Sequence, residues 1–345
     1  MEISTVGLDL AKNVFQVHAV SATGEVVICK TLRRSQMLPF FAKLPPSLVG
    51  AEACGTSHHW ARELTKLGHE VRLMPPVYVK PYVKRGKNDA ADAEAICEAV
   101  TRPTMRFVPV KSREQQAALS LHRTRSLLIG QRTQLVNLMR SLLAELGIAI
   151  PVGLERALQL ARQIVGEEIE LDLPAEAAHV IAMLSQQTLQ LHAQLRKLDL
   201  RLAALQRSDD TARRLATIPG IGPVGATALA ASVTDPSQFS SGRQFAAWLG
   251  LTPRQNSSGG KERLGRITKM GDKYLRQLLV IGATSLVRRA KDKPDAVDPR
   301  FIALLARKPA RVATIAMANK MARIAWAVMR RGDTFRRDHA PMQAA

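Results

Sequence analysis

The sequence predicts an α/β domain with a mixed sheet at the N-terminus, followed by an all-α remainder. Short apolar runs alternate with helical segments over the first hundred residues, which is typical of α/β folds. From about residue 113 onward, apolar residues recur at helical spacing. Aromatic residues make up only 4% of the 345 residues, and the abundance of Ala and Leu favours helical packing over an all-β sandwich.

The N-terminal domain is predicted to contain five strands and three helices. The strands occupy residues 4–10, 14–20, 25–31, 48–53 and 71–74. The helices occupy residues 36–44, 57–67 and 89–100. Pro45 ends the first helix and Gly68 ends the second, since proline and glycine are common helix stops.

A helical segment is predicted from about residue 113 to 207, with breaks at 147–153 and 172–174. Its second helix carries apolar residues at heptad spacing, which predicts a coiled coil and self-association as a dimer or tetramer. The alternative is a helical hairpin packed only on itself. One register holds Leu184, Leu191, Leu198 and Leu205, and the other holds Ile181, Thr188, Leu195 and Leu202.

These patterns divide the chain into four predicted parts. Residues 1–108 form the α/β domain, and residues 109–208 form the helical coiled-coil segment. Residues 209–335 form a helical C-terminal domain interrupted by glycine loops. Residues 336–345 carry no pattern and are expected to be a mobile tail.

The charge balance points to a polyanionic partner. Lys and Arg number 50 against 29 Asp and Glu, which gives a formal net charge of +21 and a pI near 10.7. Such an excess attracts nucleic acid and makes binding strongly salt-dependent. Solubility alone does not require so large an imbalance.

Cysteine usage and the N-terminus bear on the compartment. The three cysteines show neither zinc-ligand spacing nor a disulfide framework, which fits a reducing cytoplasm. The N-terminus lacks the pattern of a signal peptide, and no apolar run is long enough to span a bilayer. We therefore expect a cytoplasmic protein, associated with the nucleoid when bound to DNA, and no membrane partner.

Four acidic residues of the first hundred positions form the candidate catalytic and metal site. Asp9 lies in the first predicted strand and Glu52 at the end of the fourth, where sites of α/β sheets are usually found. Asp89 and Asp92 lie one turn apart on a helix and share a face. Carboxylates in apolar settings need compensation. Two Mg²⁺ ions, roughly 3.5–4 Å apart, would supply it and hold a phosphodiester between them.

Each acid also has a structural explanation when it is taken singly. Asp9 would cap the turn that follows it, and Asp89 would N-cap its helix, with Asp92 near the positive end of the helix dipole. Glu94 and Glu98 are interpreted as solvated charges.

Basic residues precede the helical pair of acids and are candidates for holding phosphates beside the metals. Tyr78 and Tyr82 interleave with them and would stack on bases or pack on the domain. A solvated basic loop is the alternative interpretation. The basic candidates are Lys80, Lys84, Arg85 and Lys87.

A second motif is the turn ATIPGIGPVGATALAA. Gly220 and Gly222 permit backbone conformations closed to other residues, and the turn leaves N–H groups free to bind a phosphate at the start of the next helix. It resembles the helix-hairpin-helix elements of DNA-repair and junction-binding proteins. The alternative is a tight corner needed only for packing.

A third motif is the polar loop in LTPRQNSSGGKERLGRITKMGDKYLR. Ser257 and Ser258 lie beside flexible glycines in a dense positive field, where a serine is able to attack a phosphodiester with arginines stabilising the developing charge. A plain surface loop is the alternative. The basic residues that would bind nucleic acid here are Arg254, Lys261, Arg263, Arg266, Lys269, Lys273 and Arg276.

In their order along the chain, these motifs resemble the RuvC-like branch of the ribonuclease-H fold and, more narrowly, the DEDD transposases of bacterial insertion sequences. The resemblance covers essentially the whole chain. It implies that Asp9, Glu52, Asp89 and Asp92 bind Mg²⁺ and that a serine preceding glycine is the nucleophile. Ser258 fits that serine better than Ser257. The resemblance also implies a structured noncoding guide RNA that pairs with donor and target DNA.

The sequence therefore predicts an insertion-sequence transposase that cuts and rejoins double-stranded DNA through a covalent phosphoserine. Two other functions stay open at this point. A RuvC-like junction endonuclease would hydrolyse DNA with the four acids and no serine. An architectural DNA-binding protein would need neither, although it leaves the acids without a purpose.

Overall fold

The fold is described from a computed structural model, which covers residues 2–84, 88–256 and 263–336. The chain divides into two compact units, Met1–Arg113 and Glu114–Ala345. The finer predicted division at residues 108, 208 and 335 stays a prediction. The predicted tail lies beyond the described residues apart from residue 336.

The N-terminal unit contains a five-stranded mixed sheet. Its strand order is β3-β2-β1-β4-β5, with β1, β4 and β5 parallel and β2 antiparallel to both of its neighbours. The predicted α/β class is confirmed, and this mixed sheet fits a ribonuclease-H-like fold. The strands are β1 Ile3–Leu10, β2 Val14–Ser21, β3 Val26–Arg33, β4 Leu48–Glu52 and β5 Glu70–Met74.

Helices cover both faces of this sheet. On one face, Leu8, Phe15 and Val49 pack against the first two helices in a continuous apolar core. On the other face, Ile96 and Val100 of the fourth helix pack with residues that follow β5. The helices of the N-terminal unit are α1 Met37–Phe41, α2 Ser57–Lys66, α3 Pro76–Val79 and α4 Asp89–Val100.

The fourth helix lies unusually close to the sheet because two glycines lie beneath it. A Cβ atom at Gly7 of β1 would be 2.0 Å from the carbonyl oxygen of Ala93, and one at Gly50 of β4 would be 2.7 Å from Cβ of Val100. Since neither distance is sterically possible, only glycine permits this approach. The two glycines thereby fix the position of α4 over β1 and β4.

The C-terminal unit is almost entirely helical. Its core includes Phe245, Leu249, Ala283 and Met321. The sequence did not predict its two-stranded hairpin, β6 Pro253–Gln255 and β7 Leu264–Ile267. The helices are α5 Arg113–Glu145, which begins at the last residue of the first unit, α6 Leu154–Val165, α7 Ala175–Ser208, α8 Asp210–Leu215, α9 Pro223–Ser232, α10 Gly242–Trp248, α11 Lys273–Asp292, α12 Pro299–Arg307 and α13 Ala310–Arg331.

The long helices α5 and α7 contact each other as an antiparallel pair. Arg125 of α5 donates to Asp199 of α7 at 2.6 Å, and Thr188 of α7 donates to the sulfur of Met139 at 3.7 Å. One heptad register of α7 is buried within the chain, at Ile181, Thr188, Leu195 and Leu202. The hairpin alternative therefore accounts for that register, and the coiled coil between subunits stays a prediction.

No helix in the described part of the chain has both the length and the apolar character needed to cross a membrane.

Candidate active site

The sheet register places the first two acids side by side. Gly7 of β1 pairs with Gly50 of β4 in parallel register. Asp9 and Glu52 each lie two residues further along, so both side chains project from the same face as the glycines. This is the face covered by α4, at the carboxyl ends of β1 and β4, where ligand sites of α/β sheets lie.

The start of α4 supplies the other two acids. Asn88 is the N-cap, and its side chain accepts a hydrogen bond from the backbone of Ala90 at 3.0 Å. The interpretation of Asp89 as the N-cap is therefore wrong, because Asn88 already performs that role. Asp89 and Asp92 lie in the first turn of α4, close to the sheet because of the glycines beneath the helix.

Three of the four acids converge to a small volume. One carboxylate oxygen from each of Asp9, Asp89 and Asp92 lies within 4.8 Å of the others. Asp9 and Asp92 are half-buried, whereas Asp89 is exposed. Glu52 is half-buried beside them and interacts electrostatically with Asp9 and Asp92. The structure thus brings three of the four predicted acids into one group, and the fourth, Glu52, is near enough to feel the charges of two of them.

The electrostatics of this cluster are unfavourable without a cation. Burial, followed by the negative charges of Asp92 and Asp89, raises the pKa of Asp9 above its ordinary value. Burial, followed by the charges of Asp9 and Asp92, likewise raises the pKa of Glu52. Nearby cationic side chains would lower both pKa values, and none among the described residues contributes to either shift.

The donor set fits a hard divalent cation. Carboxylate oxygens are the ligands that Mg²⁺, Mn²⁺ and Ca²⁺ prefer, whereas zinc and copper favour nitrogen and sulfur ligands. Three such oxygens lie close enough to one another to share an ion. The pKa values of Asp9 and Glu52 are raised because their negative charges are not stabilised. A bound metal ion would supply the positive charge that stabilises them.

A neutral side chain that the sequence analysis missed lies next to Asp9. Gln16 of β2 is its direct cross-strand partner, so the two side chains share a face. The hydroxyl of Thr31 on β3 donates to the Gln16 amide oxygen at 2.7 Å. Asp9, Gln16 and Thr31 therefore form a polar row across three strands. The alternation of β2 places Gln16 on this face, but its pairing with Asp9 needs the register.

The basic residues before α4 are only partly described. Lys80 is exposed, whereas Lys84 forms an ion pair with Glu94 at 2.6 Å. Glu94 and Glu98 are therefore not simply solvated, since Glu98 contacts Arg102 as well. Tyr78 is 42% exposed, and Tyr82 lies beneath the guanidinium of Arg102. Arg85 and Lys87 lie outside the described residues.

The predicted glycine turn joins α8 and α9, and its two glycines differ. Gly220 has a φ of +86°, and a Cβ atom there would be 3.1 Å from the carbonyl oxygen of Gly282 on α11. Gly220 is thus needed for both conformation and packing. Gly222 is exposed, has extended backbone and is the N-cap of α9. A phosphate-binding role for this turn stays a prediction.

The serine motif falls between β6 and β7 in the sequence. Ser257, Ser258 and Lys261 lie outside the described residues, so the structure describes only the strands that flank them. These strands and the segment that follows them present an exposed basic surface. Its described members are Arg254, Arg263, Arg266, Lys269 and Lys273.

The guanidinium of Arg276 forms two hydrogen bonds within the protein. Its Nη1 atom donates to the carbonyl oxygens of Leu249 and Met270, each at 2.9 Å. These carbonyls lie just before β6 and just after β7. Arg276 therefore joins the two ends of the segment that carries the serine motif, a role that the sequence did not indicate.

A buried polar network links α5, α9 and α11. His122 is 2% exposed, and its ring nitrogens lie 3.0 Å from the Tyr274 hydroxyl and 3.1 Å from the Thr227 hydroxyl. Burial, followed by the charge of Arg125, lowers the pKa of His122 to about 4. The histidine is therefore neutral at physiological pH. Sequence periodicity predicts burial at this position but not its partners.

Comparison with known protein families finds two matches, which lie in different parts of the chain. Residues 6–148 match a transposase model for DEDD transposases of the IS110 type. Residues 212–297 match a model described as transposase of the IS116/IS110/IS902 family. Each match contains residues of one predicted motif group, with the acids in the first and the glycine turn and serine loop in the second.

Whole-chain relatives agree with these matches. The chain is 50% identical to a probable family 20 transposase of Pseudomonas aeruginosa, over 97% of this chain and 99% of that protein. It is 40% identical to the transposase for insertion sequence element IS1328 of Yersinia enterocolitica, over 96% of this chain and 98% of that protein. It is 38% identical to the transposase for insertion sequence element IS1111A of Coxiella burnetii, over 97% of this chain and 92% of that protein.

Proposed function

The chain belongs to the IS116/IS110/IS902 family of DEDD-type transposases, and we propose that it cuts and rejoins DNA with Mg²⁺ held by Asp9, Glu52, Asp89 and Asp92. The observation that supports this proposal most strongly is the convergence of three carboxylates to within 4.8 Å of one another. It is an enzyme that acts on DNA. The identity of its metal, its nucleophile and its guide RNA are proposals.

The four acids are proposed to hold two divalent ions. When bound, such ions would neutralise the charge that develops on the scissile phosphate and lower the pKa of an attacking hydroxyl. Asp9 and Glu52 lie on strands of a rigid sheet, and Asp92 lies on a helix seated on that sheet by glycines. The protein thereby fixes the carboxylates before DNA binds, which reduces the reorganisation needed for catalysis.

Ser258 is the proposed nucleophile. Its hydroxyl oxygen forms a bond to the scissile phosphorus and loses its proton, while the 3′ oxygen of the cut strand leaves and takes up a proton. The product is a 5′-phosphoserine and a free 3′ hydroxyl. A 3′ hydroxyl of another strand then attacks the same phosphorus and releases the serine. The energy of the phosphodiester is retained, so no nucleotide hydrolysis is needed.

Substitution of the serines tests this step. Ser258→Ala is expected to abolish both strand cleavage and the covalent adduct that denaturing electrophoresis detects on labelled DNA. Ser257→Ala, the matched control, should retain the adduct. Metal-dependent cleavage by Ser258→Ala would instead favour a junction endonuclease that uses water.

Loss of metal-dependent chemistry is the second test. Asp9→Asn should bind DNA and fail to cut it. If the wild-type chain itself binds DNA equally with and without divalent metal and never cuts or rejoins it, an architectural role would replace the proposed chemistry.

The metals and the serine are proposed to come from different subunits of an oligomer formed through α5 and α7. Exposed apolar side chains on these helices support this, at Leu127, Leu138, Met183 and Leu200. Mixing Asp9→Asn with Ser258→Ala tests the arrangement. Recovery of cleavage in the mixture is expected, and a mixture that stays inactive under conditions where subunits exchange would contradict it.

A structured noncoding RNA is proposed to choose the DNA sites by base pairing. The large positive charge of the chain supports an RNA partner besides DNA. Proteins that recognise mainly backbone are able to leave sequence choice to a guide. Transposition assays with and without the noncoding segment of the element test this: activity should require the segment, and altered pairing positions should redirect insertion.

A further inference from the structure

A cleft in the N-terminal unit is not explained by the metal chemistry. It is wide open to solvent and has a volume of about 740 Å³. The turn after β1, the end of β3 and helices α1 and α2 contribute its walls, with Asn13, Arg33, Leu38 and Trp60 among them. We call it the Trp60 cleft. Leu8 and Phe15, which point toward α2, belong to the opposite sheet face from Asp9.

The cleft carries uncompensated positive charge. Arg33 and Arg34 are exposed at its edge. Its acidic residue, Glu63, is already paired with Lys66 at 2.9 Å. Because the two guanidinium groups outweigh this neutralised carboxylate, the cleft favours an anionic ligand.

The guanidinium of Arg34 lies next to the Trp60 ring. Its guanidinium carbon lies 5.0 Å from the centre of the Trp60 ring, a distance at which the cation and the ring attract each other. A guanidinium that rests on an aromatic ring offers its other face to a planar ligand, and nucleobases stack on arginine in this way.

The remaining walls suit a base as well. Val14 and Leu38 are 45% and 37% exposed, which leaves apolar surface for a base to cover. Trp60 itself is only 4% exposed, so a ligand would contact the Arg34 guanidinium rather than the Trp60 ring.

We propose that the Trp60 cleft binds one unpaired nucleotide of the nucleic acid that the enzyme handles. The base stacks on Arg34 between Val14 and Leu38, and Arg33 contacts its phosphate. A nucleotide supplies the flat surface, the acceptors and the negative charge that these walls lack. A paired nucleotide would not fit, because its base is stacked within the duplex. This site is separate from the acids and does not depend on their chemistry.

The test compares two labelled duplexes that differ by a single unpaired nucleotide. Each is titrated with the full-length chain by fluorescence anisotropy, once as DNA and once as RNA. The wild-type chain should prefer the bulged duplex in at least one of these arms, and that arm identifies the source of the nucleotide. Equal affinity for bulged and paired duplexes in both arms would overturn the proposal.

Variants assign the preference to the cleft. Arg34→Gln should reduce it about tenfold, as expected for the loss of one stacked base. Arg34→Lys keeps the charge and loses the planar group, so this variant should recover little of the preference for the bulged duplex. Arg72→Gln is the matched control, because Arg72 lies 5.0 Å from the Phe107 ring in the same unit but outside the cleft. An unchanged preference in Arg34→Gln, or an equal loss in Arg72→Gln, would overturn the proposal.

The same titrations in Asp9→Asn separate this inference from the proposed catalysis. The preference should persist in that variant whether or not cleavage does. Thermal melting of each variant checks folding, and a preference that is lost in Asp9→Asn as well would remove the cleft as its source.

Discussion

Gly7 of β1 and Ala93 of α4 are in such close contact that a Cβ atom at position 7 would be 2.0 Å from the Ala93 carbonyl oxygen. On the neighbouring strand, a Cβ atom at Gly50 would be 2.7 Å from the side-chain Cβ of Val100. Each glycine precedes an acid by two residues, in Gly-Leu-Asp9 and Gly-Ala-Glu52. The two strands therefore repeat one arrangement. In each, a glycine permits the close approach of α4, and the acid two residues later lies near the acids at the start of α4.

Substitution of Gly7 tests this arrangement. In Gly7→Ala, α4 must move away from β1, which should destabilise the N-terminal unit by about 1–3 kcal/mol, as for other overpacked cores. DNA cleavage should fall further than the stability change explains, since Asp92 moves with the helix. Urea unfolding and cleavage rates measure the two effects. Gly55→Ala is the control, because no described atom beyond its chain neighbours lies within 4 Å of a Cβ added there. Equal behaviour of the two variants would contradict the prediction.

Removal of one charge from the cluster should stabilise the metal-free protein. The raised pKa of Asp9 means that the folded state holds its proton more tightly than the unfolded state. Stability therefore falls as pH rises from the ordinary pKa of 3.8 through the raised value, and the loss persists at neutral pH. Asp9→Asn should thus melt at a higher temperature than the wild type in chelator at pH 7.

Magnesium should reverse that order. A ligand that binds only the folded state stabilises it by about 2.7 kcal/mol at a concentration of 100 times its Kd. Added Mg²⁺ should therefore raise the melting temperature of the wild type and leave that of Asp9→Asn nearly unchanged. Exposed Asp172 provides the control substitution, Asp172→Asn, which should respond to Mg²⁺ as the wild type does. An identical metal response in all three chains would count against the site.

Arg276 is expected to position the serine segment. Arg276→Gln loses two hydrogen bonds from a charged donor, each worth about 1.5–3 kcal/mol. It should slow formation of the covalent DNA adduct by about tenfold or more, without changing DNA affinity or its salt dependence. Exposed Arg266→Gln should instead weaken binding and reduce the slope of log K against log salt by about 1. A reduced salt slope in Arg276→Gln would show a phosphate contact instead.

The lowered pKa of His122 predicts a specific pH dependence for the stability of the C-terminal unit. Its pKa in the folded state is lowered to about 4 from 6.5, so the unfolded chain binds the proton first as pH falls. Stability is fully present above pH 6.5 and is lost progressively down to about pH 4, by about 3 kcal/mol. In urea unfolding across this window, His122→Gln should lose this component and exposed His179→Gln should keep it. Parallel profiles for the wild type and His122→Gln would contradict the assignment.

Local sequence signals predicted the N-terminal domain well because its elements are short and strongly patterned. The five strands and the helix at Asp89 lie within a few residues of their predicted bounds. The chemistry of the acids and a family resemblance predict that Asp9 and Asp92 share a site. They do not give its geometry, since alternation gives the face of a strand but not the strand that lies beside it. The register and the glycines beneath α4 supply that information.

The C-terminal unit was harder to predict for the same reason. Its long helices follow directly from periodicity, and the loop at residues 147–153 contains Gly147 and Gly153 with positive φ. The β6–β7 hairpin was missed because each strand is only three or four residues long. The sequence does not distinguish Arg276 from the other basic residues around it. Only the folded chain shows that its guanidinium donates to two carbonyl oxygens.

Anomalous diffraction from crystals grown with Mn²⁺ is the most direct test of the central claim, since manganese replaces magnesium at carboxylate sites and scatters anomalously. We expect a strong peak in coordination with Asp9 and Asp92, with Glu52 or Asp89 completing its ligands, and loss of that peak in Asp9→Asn. A wild-type crystal that shows no peak at these carboxylates at millimolar Mn²⁺, with DNA bound, would contradict the account.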